Sequence, residues 1–223
     1  MAVTSSGDGN FSSVIAGGLS VNDDVIIDHD VTLDGDAPNV NSLTINPSKT
    51  FTGGGNTVTI DDKDGSSYSF RARNGSTISG TLNIKVTGNG GYIRDSATGN
   101  INNLEVDLGS SSDVHYLDAD LSIGGNLTIT EGIFNTNGSS NRALTVAGTT
   151  TIGPNSGAAD QATLTCNAST ISLGSGITSS AYGLYVNQGG TFTGGSGTHT
   201  LGSVVVRNNA AAKCTLTSGV TTI

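Results

Sequence analysis

Leu144-Thr145-Val146, Leu164-Thr165-Cys166, Leu184-Tyr185-Val186 and Val204-Val205-Val206 begin 20 residues apart each time. Each triplet reads apolar-x-apolar, the alternation of a strand with one buried face. Gly, Asn, Ser and Thr fill the intervals, and these are turn residues. The intervals differ in sequence, so the period is structural. It predicts a β-solenoid with roughly 20-residue coils. In that reading Leu144, Leu164, Leu184 and Val204 lie one above another, about 4.8 Å apart.

The pattern extends toward the N-terminus. Asp24-Val25-Ile26-Ile27 and Val31-Thr32-Leu33 read as strands joined by Asp28-His29, and Asn46-Pro47 closes Leu43-Thr44-Ile45. Val40-Asn41-Ser42-Leu43-Thr44-Ile45, Ile101-Asn102-Asn103-Leu104-Glu105-Val106 and Leu201-Gly202-Ser203-Val204-Val205-Val206 share one form. It reads as a corner: one residue ends a face, two turn, and the next strand begins. Residues 61–100 are less regular and read as wider coils or an insertion. Residues 1–20 lack a triplet and read as an arm or docking segment. The division is therefore 1–20 arm, 21–115 acidic β region and 116–223 regular solenoid. The fold class is all-β, a parallel β-helix-like solenoid with a less regular N-terminal part.

No window carries helical periodicity over three turns, so almost no helix is expected. No apolar run approaches a membrane span. The first ten residues have neither the basic region nor the apolar core of a secretory signal. Assembly inside a cell, or a leader already removed, is the expectation. The last residues, 216–223, form a strand pattern with no polar cap. A covering chain or further polypeptide is expected there.

The chain has 33 Gly, no Trp and a net charge of −9 in 223 residues, which suits short strands and tight turns. Sixteen of the 18 acids precede position 121, against six of the nine Lys and Arg. That balance argues against nucleic acid as a partner.

Asp62-Lys63-Asp64-Gly65 is a fragment of a calcium loop without its later ligands, so it reads as a solvated turn. Asp23, Asp24, Asp28, Asp30, Asp34 and Asp36 form a denser group. Asp28, Asp30 and Asp34 share strand parity, and the group reads as a polar outer face. His29, His115 and His199 lack zinc spacing, and His199 reads as a surface residue between Thr198 and Thr200. Cys166 reads as a small buried hydrophobe, with a cross-coil disulfide to Cys214 as the alternative. Recurrent Thr-x-Thr, as at Thr163/Thr165 and Thr191/Thr193, reflects strand propensity rather than an ice-binding ladder. Tyr182, Tyr185 and Phe192 cluster in sequence; an outward Tyr185 could meet a sugar or a neighbouring subunit. No catalytic, cofactor-binding or metal residues are assigned, and no cofactor is implied. Too few acids follow residue 120 for a carboxylate pair, so an enzyme is not expected.

Asn41-Ser42-Leu43-Thr44-Ile45, Gly125-Asn126-Leu127-Thr128-Ile129 and the stretch 194–203 resemble repeats of β-solenoid virion proteins. These are the fibres and decoration proteins of marine bacteriophages. The phrases are also similar to autotransporter and haemagglutinin-type adhesin repeats, and the resemblance covers 21–60 and 100–223. It implies a structural protein on the virion surface, on the capsid or as a tail fibre. The implied partners are further copies, as a homotrimer, and a major capsid or tail protein, with no membrane or nucleic acid. The alternatives are a cell-surface adhesin that binds glycans and a polysaccharide-degrading β-helix enzyme.

Overall fold

Short alternating strands separated by Gly, Asn and Asp turns cannot bury a face alone, and stacking is how they do so. The computed structural model describes residues 1–15, 19–62, 67–154, 161–174, 183–207, 211–216 and 218–223. The chain is nearly all β, a parallel β-solenoid of about eight turns, with one short helix among the described residues.

Each coil crosses three faces. Asp24–Ile27, Ser42–Ile45, Tyr68–Ala72, Gly90–Asp95 and Val114–Leu117 stack on the first. Thr50–Thr52 and Thr77–Ser79 stack on the second, and farther along Leu121–Ile123, Leu144–Val146, Ile171–Leu173 and His199–Leu201. Thr57–Asp62, Asn83–Gly88 and Asn103–Asp107 stack on the third, continued by Thr150–Ile152, Leu184–Val186 and Val204–Val206. Leu127–Asn135 runs from the third face round to the first without a break. It thereby joins those two faces into one 17-stranded sheet.

Inward residues form dry columns. Val25, Leu43, Phe70, Ile93 and Leu117 follow one another on the first face, each at most 1% exposed. Ile60, Val86, Val106, Ile129, Ile152 and Val186 do so on the third. Burying each such side chain is worth about 1.5–3 kcal/mol.

The register differs from the one the four triplets suggest. Only Leu184 and Val204 are stacked neighbours. Leu144 lies on the second face above Leu121, and Leu164 on the first, next to Phe134. All but Val204 are fully buried, so the apolar reading holds while the column does not. The reason is that coil length varies. The chain takes 18 residues from Val25 to Leu43 and 34 from Thr150 to Leu184. Triplets 20 apart can then sit on successive faces rather than on successive coils.

The N-terminal residues are a coil, not a free arm. Ala2–Thr4 pairs with Asp24–Ile27, and Gly9–Asn10 with Val31–Thr32. The helix Phe11–Val14 turns Phe11 and Val14 into the core, and Phe11 packs 6.2 Å from Phe51. The inward column of the first face runs unbroken through Ile93 and Leu117, so the core continues across position 115. At the other end Val206, Leu216, Val220 and Ile223 are exposed large hydrophobics.

Corners are bridged by Asp and Asn side chains that accept backbone N–H groups from the adjacent coil. Asp8 accepts from Asp30 N at 2.9 Å, Asp30 from Thr50 N at 2.8 Å and Asp36 from Thr57 N at 2.7 Å. Asn103 accepts from Asn126 N at 2.8 Å, and Asn126 from Thr149 N at 2.9 Å. A corner breaks the ladder and leaves N–H groups without partners, and these side chains supply them.

Candidate functional site

The acidic group at 23–36 does not share one face. Asp28 and Asp30 stand at one corner and Asp34 at the next, because Val31–Thr32 forms the second face between them. Each carboxylate bonds to neighbouring chain. Asp24 accepts from Asn41 and Ser42, Asp28 from Asn46, and Asp34 from the Ser12 backbone and hydroxyl. The Ser12 hydroxyl and amide hold Asp34 below the usual carboxylate range, and the Ser20 amide does the same for Asp23. These acids fasten turns, and no group of three potential metal ligands comes together among the described residues. Of the calcium-loop fragment, Asp62 is buried, and Lys63, Asp64 and Gly65 lie outside the described residues.

His199 is not on the surface. It occupies the inward column after Ile171, fully buried against the edge of Phe192. Its parity is that of Leu201, and Thr200 between them is the outward residue. Burial lowers its pKa. Cys166 is a buried free thiol whose pKa burial raises, and Cys214 is also free. Phe192 is buried and Tyr185 half-buried, while Tyr182 lies outside the described residues. Thr163 with Thr191, and Thr165 with Thr193 and Thr215, do fall in register. The two-wide hydroxyl array ends where Lys213 follows Thr191, so it is only two coils deep.

Three arrangements were not legible from motifs. The first is a buried chain of polar groups. Ser69 donates to Asp62 at 2.9 Å and lies 2.7 Å from His115 Nε2, with all three fully buried. Ser69 is an extra residue at a register shift, so it turns inward beside Phe70. Gly91 makes the room, since a Cβ there would stand 2.4 Å from Asp62 Oδ2 and 2.7 Å from Ser69 Oγ. The composition is that of a hydrolytic triad, but the order is wrong. Serine sits between acid and imidazole, whereas a triad needs imidazole between them. Burial holds the His115 pKa at about 3, so the ring stays neutral. The three groups partner one another through Ser69 Oγ, while His115 Nδ1 is buried without a hydrogen-bond partner among the described residues.

The second is on the outside of the third face. Lys85 Nζ lies 2.8 Å from both Glu105 and Asp107, in a groove edged by Asn83, Asn103 and Asn126. Partial burial opposes the charge on Lys85, but Asp107 and Glu105 outweigh it and raise its pKa. A lysine held protonated is not a general base.

The third is a strip on the outside of the first face. Tyr68, Tyr92 and Tyr116 stack in register, with ring centroids 6.0 and 5.5 Å apart. Beside them runs a second column, Thr44, Arg71 and Arg94, which continues to Asp118. Arg71 lies 4.7 Å from the Tyr68 ring centroid. Tyr68 donates to Asp118 at 2.6 Å, which with Ser139 and Arg94 keeps that carboxyl ionised below its usual range. Arg71, Arg73, Asn74, Arg94 and Pro47 line a shallow depression. No family model matches the chain, and no curated protein or solved structure is significantly similar to it.

Proposed function

We propose that this chain is a structural rod, a fibre or decoration protein on the surface of a virion, acting through stacking and subunit association. The observation that carries the reading is the parallel pairing that runs from Ala2–Thr4 to Thr221–Thr222. A ladder of that length, dry inside and fastened at its corners, resists bending and proteolysis without a ligand. The resemblance of its corner phrases to phage virion repeats supports the particle as the place. Its partners in this reading are copies of itself, as a trimer, and a capsid or tail protein.

Purified particles probed with an antibody to the exposed turn 109–112 test it. Label on capsid or tail is expected. Label confined to a bacterial envelope would overturn the virion assignment in favour of a cell-surface adhesin. The adhesin reading draws its own support from the tyrosine and arginine strip, a polar surface on the outside of the first face.

A further inference from the structure

We infer that the depression formed by Arg71, Arg73 and Arg94 binds the carboxylate group of an acidic saccharide. The inference stands on these residues and holds whether the rod belongs to a virion or a cell surface. Three of the six Lys and Arg before position 121 meet here, in a chain of net charge −9. Arg71 and Arg94 are adjacent in register, so two like charges are stacked on neighbouring strands. Like charges placed opposite one another destabilise a sheet unless something neutralises them. Asp118 approaches Arg94 at 3.5 Å, at one edge only. Arg71 Nε is buried with no hydrogen-bond partner among the described residues. The exposed Arg73 guanidinium has none among them either. Guanidinium forks that line one depression match the planar or tetrahedral oxygens of an oxyanion.

The surroundings decide what carries that oxyanion. Along the rod the patch is bounded by Asp118 on one side and by Asp28, bonded to Asn46, on the other. A nucleic acid with a phosphate at every step would run onto those carboxylates. Tyr92 and Tyr116 stack on each other at 26°, so their facing ring surfaces are not open to bases. Their hydroxyls, however, have no hydrogen-bond partner among the described residues. Hydroxyl edges beside one small cluster of cations fit a ligand with many hydroxyls and a sparse negative charge. That is a uronate-bearing sugar chain laid along the first face.

Calorimetric titration of the full chain tests this with four probes: a uronate tetrasaccharide, a neutral tetrasaccharide, inorganic sulfate and a single-stranded oligonucleotide. Binding of the uronate alone, or of the uronate well ahead of sulfate, is the expected result. The double variant Arg71→Gln/Arg73→Gln should weaken it at least about tenfold. Arg73→Gln alone, at an exposed site, should weaken it measurably with unchanged circular dichroism. Lys85→Gln, on the third face, should leave it unchanged. No binding of the uronate, equal binding of the neutral sugar or of sulfate, tighter binding of the oligonucleotide, or wild-type affinity in the arginine variants would each overturn the assignment.

Discussion

At the scale of the residue, Asp95 is a carboxylate in a column that elsewhere holds apolar side chains. It occupies the first-face column after Ala72, where Ile27 and Ile45 stand in earlier coils. Burial lifts its pKa to about 6, only partly opposed by the hydrogen bond from Ala97 N. The folded state therefore holds this proton more tightly than the unfolded chain, which releases it near 3.8. The cost of the charge is present in full above about pH 6 and fades as the pH falls toward 4. Asp95→Asn keeps the acceptor for Ala97 and removes the charge. It should stabilise the protein by about 2 kcal/mol at pH 7.5 and by little at pH 4, read from urea unfolding at both. An equal change at both pH values would mean that packing, not ionisation, sets the effect. The sign is opposite for Asp23, Asp34 and Asp118, whose lowered pKa values give stability that is lost as pH falls below their normal range. Sequence parity was sufficient to place His199, since Leu201 two residues on is plainly inward. The flanking threonines made a polar residue look like a surface one. Ser69 was not legible, because nothing in Tyr68-Ser69-Phe70-Arg71 marks the extra residue that turns it inward.

At the scale of the element, the corner is the unit that sequence reading recognised by form but not by cause. The phrase apolar-x-x-apolar-x-apolar does mark a turn between faces, into the third at Ile101–Leu104 and Leu201–Val204 and into the first at Val40–Leu43. Asp36, ahead of Val40, and Asn103 hold turns by accepting Thr57 N and Asn126 N of the next coil, and at Leu201–Val204 the Ser203 hydroxyl accepts Gly183 N of the preceding one. This gives the acids that crowd 23–36 a role, and asparagines take the same role at 103 and 126. Only acceptor oxygens are used at Asn126, so charge is not required there. Asn126→Ala should cost about 1 kcal/mol, and Asn126→Asp much less, in thermal unfolding at neutral pH. Equal losses would show that the amide hydrogens, not the oxygen, fasten the corner. Gly132 marks a different kind of corner, the bend inside Leu127–Asn135 where the strand passes between faces. Its φ is +88°, and a Cβ would stand 2.7 Å from Leu108 Cδ1, so only glycine fits. The register between such corners was beyond sequence reading, since nothing local tells an 18-residue coil from one of 34. Alternation fixes which side chains point inward, but not which coil they meet.

At the scale of the whole molecule, each coil touches only its neighbours, so stability should be distributed along the axis rather than shared by all residues. Phe134 lies mid-rod, between His115 on one coil and Leu164 on the next, and is fully buried. Phe134→Ala removes about 3–5 kcal/mol of packing at that one layer. If coupling is nearest-neighbour, the loss should weaken the interface between two stacks more than either stack. Mild proteolysis would then cut near 130–140 and release an N-terminal fragment that stays folded. Val204→Ala, close to the exposed residues at the far end, should instead shorten the protected region from that end. Hydrogen exchange would show the same contrast, with protection falling locally around residue 134 and persisting in Leu43 and Ile60. Loss of protection along the entire chain in one step would mean that the continuous first-face and third-face sheets, joined through Leu127–Asn135, make the rod a single cooperative unit. The strand that wraps two faces is the reason the two outcomes are both physically available. It either marks the weakest layer, because one bend carries the connection, or welds the halves, because no corner interrupts it. The unbroken pairing of its ends to Thr150–Ile152 and Ala162–Thr165 is confined to adjacent coils, and that favours the localised response.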